Sequence, residues 1–355
     1  MNSRDRVAAA INKVKSDKVP TSLRCTSEAL DKLIKYLNVK TKQEVYDQLD
    51  IDFRWIYVPF IGPKERSASP LGSEGFDFWG CYNKAVKNEF NTYYEFTYHP
   101  LAECKTVTDI KNYKWPELDW WDYDRIPDII ENECQKDRRA IMFFAGGTFE
   151  TPWYMRGMEQ FFMDIIEEPE IVNAICEKVG EYYLGRAMRV LDKAKGKIDI
   201  IGSGGDLGAQ ETLMINPSAW REHIKPHFRG LIEPFKKMGL KTFYHSDGAI
   251  TSVINDFIEC GLDILDPIQV GAKGMNPENI YSLFGERLTF HGAIDEVELL
   301  PNATASEVYE ETSRVIRIMN QNNGYIVSPT HQVQGDTPVE NILAIFEAVN
   351  DLKQN

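Results

Sequence analysis

Two histidines and an aspartate have the types and spacing of ligands for a divalent metal ion. His245 and Asp247 stand two residues apart at the end of the apolar run KTFYHSDG (241–248), so both side chains project to one face if the strand persists. His331 follows another apolar run, and Glu150 or water would complete a tetrahedral shell around zinc. In the alternative interpretation Asp247 caps the next helix and a backbone carbonyl satisfies His245.

Other polar or aromatic side chains also follow apolar runs. Asp206 and Gln210 lie in GGDLGAQ, where they either hold the polar edge of a ligand or stabilise a glycine turn. Gln269 closes a later run, and Trp153 and Tyr154 either line an apolar pocket or belong to the core. We predict catalytic roles for Asp206, His245 and His331. We predict substrate contacts for Glu150, Trp153, Tyr154, Arg156, Gln210 and Gln269.

These residues need a scaffold that brings the ends of several strands together. From about residue 139 onward, short apolar runs alternate with helical patterns, which predicts six strand-then-helix units and a parallel sheet. With more structure upstream, the count suits an α/β fold with a closed (β/α)₈ barrel, whose active site lies at the carboxyl ends of the strands. A doubly wound open sheet is the alternative. The predicted strands are 141–147, 198–206, 241–248, 263–269, 288–295 and 324–330.

The first third of the sequence is less regular. We expect residues 1–355 to form a single barrel domain with residues 1–50 as an N-terminal helical extension. The aromatic, acidic segment 105–128 predicts a wrapping loop with short helices, and exposed aromatics within 113–123 would suit a homodimer.

Charge and composition exclude several classes of function. The 355 residues include 40 Lys and Arg against 54 Asp and Glu, a net charge of −14, which argues against nucleic acid and against anionic membranes as partners. No stretch has the length and apolarity of a membrane span, and the amino terminus lacks the apolar core of a secretory signal. Six scattered cysteines without a C-x-x-C pair predict a reduced, cytoplasmic setting.

Several ordered motifs resemble the uroporphyrinogen decarboxylase superfamily over roughly residues 50 to 350. They are GGTFETPWYMRGMEQFFMDII, GGDLGAQ, FYHSDGAITSVINDFIECGLDILDPIQ, FHGAIDEVELLP and SPTHQVQGDTPVENILAIFEAV. The resemblance implies a single (β/α)₈ barrel. True decarboxylases of this superfamily hold the substrate carboxylates with an Arg-rich motif, whereas this sequence reads TSLRCTSEA around Arg24, with no Arg pair. Porphyrinogen decarboxylation is therefore disfavoured, because the substrate carboxylates would lie against the acidic side chains of the protein with no Arg cluster to bind them.

The resemblance also implies methyl transfer that involves corrinoid proteins. In those relatives zinc is held by H-x-C and a later Cys, and here the matching positions are His245-Ser246-Asp247 and His331. Histidine and carboxylate ligands leave zinc a stronger Lewis acid than thiolates do, which suits activation of the leaving oxygen of a methyl ether. The leading hypothesis is a zinc-dependent methyltransferase that moves a methyl group between a small methoxylated compound and the cobalt of a separate corrinoid protein.

Three alternatives remain at this point. The first is a decarboxylase or lyase with His331 as proton donor and Arg24, Arg54 or Arg156 holding the substrate carboxylate. The second is a non-catalytic barrel that binds a corrinoid or another ligand. The third concerns the metal site alone: a triad of Asp295, Glu310 and His331 would form only if Glu310 turned inward from its helix.

Overall fold

A computed structural model describes residues 1–68, 73–87, 92–134 and 137–352 of the chain. In chain order its strands are β1 (Phe53–Ile56), β2 (Arg66–Ser67), β3 (Gly75–Asp77), β4 (Tyr82–Lys87), β5 (Thr92–Tyr98), β6 (Ala140–Gly146), β7 (Ile200–Gly204), β8 (Lys241–His245), β9 (Ile264–Asp266), β10 (Thr289–Ile294) and β11 (Tyr325–Pro329).

Helices follow most of the strands. A π-helical segment, Trp220–Ile224, joins α9 to α10, and short 3₁₀ turns occupy Leu118–Trp120 and Tyr123–Arg125. The α-helices are α1 (Ser3–Ile11), α2 (Ser27–Tyr36), α3 (Lys42–Gln48), α4 (Val107–Asn112), α5 (Ile126–Glu133), α6 (Glu150–Arg156), α7 (Met158–Glu167), α8 (Pro169–Ala194), α9 (Pro217–Ala219), α10 (Lys225–Lys237), α11 (Ile254–Glu259), α12 (Pro277–Phe284), α13 (Leu299–Asn302), α14 (Ala305–Met319) and α15 (Val339–Asp351).

Seven parallel strands form the central sheet in the order β1-β6-β7-β8-β9-β10-β11. All six strands predicted from the sequence are present, and each ends one to three residues before the predicted limit. The apolar runs marked them well because helices cover the outer face of the sheet and aromatic side chains fill the inner one. Buried on the inner side are Phe53, Trp55, Met142, Phe243 and Ile326.

The extended segment at Thr21 closes the sheet into a barrel. Thr21 forms a parallel bridge with Val327 of β11, whose N–H donates to the Pro20 carbonyl at 2.9 Å. On its other side the Thr21 carbonyl accepts hydrogen bonds from the N–H groups of Asp52 and Phe53 at 3.0 and 3.2 Å. This segment takes the eighth position between the two edge strands, so the predicted (β/α)₈ barrel is confirmed.

A second, smaller sheet of β2, β3, β4 and β5 precedes the regular part of the barrel. The aromatics of 113–123 pack beneath it: Trp121 is buried, and its ring lies 5.3 Å from the Phe78 ring. Tyr113 and Trp120 are half-buried. The expectation of exposed aromatics in this segment is therefore wrong, because the rings pack against neighbouring side chains such as Phe60 and Phe78. Among the described residues, we find no helix that is both long and apolar enough to cross a membrane.

Candidate functional site

His245 ends β8 at the carboxyl face of the barrel, and its ring is held by a neighbouring strand. Its Nδ1 lies 2.5 Å from Oδ2 of Asp266, the last residue of β9, while its Nε2 lies 3.6 Å from Oδ2 of Asp247. Burial opposes a charged ring, but hydrogen bonds to Asp247 and Asp266 raise the pKa of His245 well above its usual value. With Nδ1 fixed by Asp266, Nε2 lies near Asp247 and Asp206 and is the nitrogen that a metal ion would bind, with loss of its proton.

Asp247 is positioned by the loops that follow three strands. Its backbone N–H donates to Oδ1 of Asp206 at 2.9 Å, and the N–H of the next residue, Gly248, donates to Oε1 of Gln269 at 2.5 Å. Asp206 also lies 3.8 Å from Nε2 of His245. Burial raises the pKa of Asp206, and the charge of His245 opposes this shift. Asp206 and Gln269 thus orient the loop that carries Asp247.

His331 follows β11 and faces His245 across the barrel mouth, with 5.7 Å between the ring centroids. Burial and the nearby charges of His245 and Arg24 lower the pKa of His331 to about 4. The ring is therefore neutral at pH 7, which is the form that binds metals and the wrong form for a proton donor.

His245, Asp247 and His331 form a candidate metal centre. One ligand atom from each lies within 4.8 Å of the others. Zinc bonds of about 2.0–2.2 Å place tetrahedral ligand atoms roughly 3.3 Å apart, so a small side-chain adjustment brings the three onto one ion. Two imidazoles and a carboxylate that leave one position open are a typical catalytic zinc set. The residues present therefore fit a zinc ion.

A buried network of charged side chains lies behind this centre. Asp266 is fully buried and takes a second histidine, His291, whose Nδ1 lies 2.5 Å from Oδ1. Burial opposes its charge, but the two histidines hold the pKa of Asp266 well below its usual range. Arg24 adds a guanidinium 3.7 Å from Asp266, stacked 4.6 Å above the Trp55 ring.

Glu150 stands beside the centre but not in it: among the described residues the cluster has no fourth protein ligand. Its carboxylate accepts a hydrogen bond from the Tyr154 hydroxyl at 2.8 Å. Burial and the charge of Asp206 raise the pKa of Glu150 to about 7. A carboxyl group that keeps a proton near neutral pH suits acid–base work better than metal binding.

A cavity of about 360 Å³ opens next to His245 and Glu150. Several aromatic rings line it, and helix α8 supplies one side. Tyr154 lines this cavity, whereas Trp153 packs edge-on against Tyr154, with ring centroids 4.3 Å apart, and touches the core. Aromatic walls beside polar groups are the usual composition of a small-molecule site.

Several predicted site residues lie elsewhere. Arg156 is buried in an ion pair with Asp164 at 2.7 Å and donates to three carbonyls, so it has no donor directed at the cavity. Arg54 is fully buried against Asp47 and Glu133. The Gln210 side chain is exposed, and its backbone carbonyl accepts from Lys273. The predictions that Arg156 contacts substrate and that Arg54 binds a substrate carboxylate are therefore wrong, because both guanidiniums form ion pairs that stabilise the fold.

The alternative metal triad is also wrong. Glu310 is exposed on α14, and Asp295 uses its carboxylate to accept the N–H of Val297 at 2.9 Å. A helix outside a barrel turns its polar face to solvent, which keeps Glu310 away from His331.

Comparison with known proteins agrees with this architecture. Residues 106–352 match the sequence model for uroporphyrinogen decarboxylase (URO-D). A curated uroporphyrinogen decarboxylase from Thermus thermophilus is 22% identical over 138 residues, which span 39% of this chain and 38% of that protein. A solved structure described as a methyltransferase from Methanosarcina mazei superposes with a TM-score of 0.74 at 14% identity, covering 100% of both chains. At 14% identity this similarity shows a shared fold and nothing more.

Proposed function

The chain belongs to the URO-D family, whose model matches most of its length, and from this premise we propose that it is a zinc-dependent methyltransferase. It moves a methyl group between a small methoxylated compound and the cobalt of a corrinoid carried by a separate protein. The single observation that carries the proposal is the cluster of His245, Asp247 and His331 at the mouth of the barrel, bordering an aromatic cavity.

The donor set supports zinc with an open coordination position. Zinc held by these three side chains would act as a Lewis acid on the leaving oxygen of a methyl ether. Asp266 keeps the His245 ring in the tautomer that exposes Nε2, and Asp206 holds the backbone of Asp247. Glu150 carries a proton at the cavity wall, and its carboxyl group is the donor to the oxygen that departs.

The bond changes balance without a further reactant. The O–CH₃ bond breaks, the oxygen keeps its electron pair and takes the proton of Glu150, and the methyl group goes to cobalt(I), which supplies the pair for the new bond. The chain's own contribution is to hold the ether against the aromatic walls and to exclude water from this step.

Metal analysis followed by a transfer assay tests the proposal. We expect the zinc-reconstituted protein to hold about one equivalent of zinc, and His245→Ala and His331→Ala to hold far less. The matched control is His227→Ala, since this histidine lies on the outer helix α10 and contacts Asn173 of α8. Mixed with a reduced corrinoid protein and a panel of methoxylated aromatics, the wild type should form methylcobalt(III), followed in the visible spectrum. Zinc well below one equivalent in the reconstituted wild type, with no effect of His245→Ala, contradicts the proposal.

A decarboxylase or lyase remains the second candidate because Arg24 reaches the centre, where it lies 3.7 Å from Asp266. A guanidinium there would hold a substrate carboxylate. His331 is a poor proton donor because its pKa is lowered to about 4, so Glu150 would have to take that role. Release of carbon dioxide without any corrinoid protein, abolished by Arg24→Met, would favour this candidate.

A further inference from the structure

Arg186 is a half-buried cation in the wall of the cavity, and it has no carboxylate partner among the described residues. It lies on α8, packed against the rings of Trp121, Phe143 and Tyr183 at 4.6 to 5.6 Å. Its electrostatic neighbours are tyrosine hydroxyls rather than acids. An arginine stays charged even here, so the structure carries an uncompensated positive charge.

The hydrogen-bonding capacity of Arg186 is only partly used. Its Nη2 donates to the carbonyls of Phe144 and Ala145 at 3.3 and 3.0 Å, while the buried Nε has no partner in the protein. Buried donors in native proteins are almost always satisfied, which makes an unpaired one beside a cavity a mark of a missing ligand. The guanidinium fork matches a carboxylate, which accepts two parallel hydrogen bonds.

The same cavity is lined by Arg186, His245 and Glu150, so one ligand bound there can contact both the guanidinium and His245 of the candidate metal centre. About 150 Å³ is enough for a benzene molecule, and the 360 Å³ here leaves room for ring substituents. Phe78, Phe143, Phe144 and Tyr183 form flat apolar walls for such a ring.

We propose that Arg186 binds the carboxylate of an aromatic acid, so that the substrate class is the methoxylated benzoates. The identity of this acid as the methyl donor rests on the proposed function, whereas the carboxylate site itself does not. A protein with a net charge of −14 repels an anionic ring, so binding of such a ring requires a local cation, and Arg186 supplies one in the cavity wall.

Binding without zinc or corrinoid tests the site separately from methyl transfer. Calorimetric titration would use 2-, 3- and 4-methoxybenzoate and, as neutral analogues of the same shape, the corresponding methoxybenzamides. We expect at least one acid to bind the wild type about 10- to 100-fold more tightly than its amide, the range of a charge-assisted hydrogen bond. Arg186→Met should abolish this preference, and Arg186→Lys should restore part of it.

Arg189→Met is the matched control, because Arg189 lies three residues away on α8, exposed and paired with Asp119. It should bind the acids as the wild type does. No binding of any of the acids at millimolar concentration, equal binding of acid and amide by the wild type, or an acid preference that survives in Arg186→Met would each overturn the proposal. If Arg186→Met does not fold, the wild-type comparison of acid with amide decides alone. Methyl transfer from neutral methoxybenzenes, with no preference for acids, would contradict the assignment of the acid as methyl donor and leave the proposed function standing.

Discussion

At the scale of single residues, two acids at the barrel mouth have different protonation because their surroundings differ. Asp266 contacts two histidines and remains ionised, whereas burial and the charge of Asp206 raise the pKa of Glu150 to about 7. Opposite environments within one site separate the group that orients a ligand from the group that carries a proton. This division would allow metal binding and proton transfer to proceed side by side.

Asp266→Asn should weaken zinc binding by about 10- to 100-fold, because an amide cannot accept from both histidine rings and His245 loses its fixed tautomer. Competition with a chelator measures the affinity. Asp263→Asn is the control: Asp263 precedes the same strand at the other end of the barrel, where it pairs with Lys236. Equal zinc affinities in the two variants would show that Asp266 does not position the His245 ring for zinc.

At the scale of elements, the loops after β7 and β8 approach each other so closely that only glycine fits. Gly248 has a φ of +84°, and a Cβ there would lie 2.2 Å from the carbonyl carbon of Gly208. This contact fixes the direction in which Asp247 leaves β8. The side chain of Gln269 holds the same loop through the Gly248 N–H.

Gly248→Ala should lower the free energy of unfolding by about 1–3 kcal/mol, because of backbone strain, and should reduce zinc occupancy. Chemical unfolding and metal analysis check both effects. Gly230→Ala provides the contrast, since Gly230 lies within α10 with open space around it, and it should gain about 0.5–1 kcal/mol with zinc unchanged. Full zinc occupancy in Gly248→Ala would show that the close contact does not position Asp247.

At the scale of the whole molecule, the amino-terminal segment completes the barrel. The buried Asp52 accepts hydrogen bonds from the Thr21 N–H at 3.0 Å and from Arg6 of α1. One carboxylate therefore ties the first helix and the closing segment to β1. Removing Arg6 would leave a buried charge in the closure itself.

Arg6→Met should destabilise the protein by about 3–5 kcal/mol at pH 7. Burial already raises the pKa of Asp52 against the opposing charge of Arg6, and loss of Arg6 raises it further. As the pH rises above about 3.9, Asp52 ionises in the unfolded chain before it ionises in the folded protein. The loss of stability relative to the wild type therefore grows as the pH rises from 4 to 7. Urea unfolding at both pH values measures it.

Arg4→Met is the control for this prediction, because Arg4 lies on the same helix in a partly exposed pair with Asp199. Its loss should cost no more than about 1 kcal/mol. If the two variants lose equal stability, or if the Arg6→Met deficit does not change with pH, Asp52 does not link the closure as described.

The sequence by itself determined the six regular strands, because a strand covered on both faces must be apolar along its length. It also placed His245, Asp247 and His331 together, since the carboxyl ends of parallel strands meet at one face of a barrel. The Arg at position 186 had a weaker signal: it stands four residues from the buried Tyr182 and from the buried Val190, on an apolar stripe of α8.

Only the tertiary structure decided which polar groups share a partner. Spacing along a strand gives the face of a side chain, but not the neighbour across the sheet, so the role of Asp266 between two histidines was hidden. The sequence around Arg156 and Arg186 does not show that their surroundings differ. In the structure Arg156 pairs with Asp164, whereas Arg186 lines an open cavity. The closing segment at Thr21 is too short to show a strand pattern, and its partners lie at opposite ends of the chain.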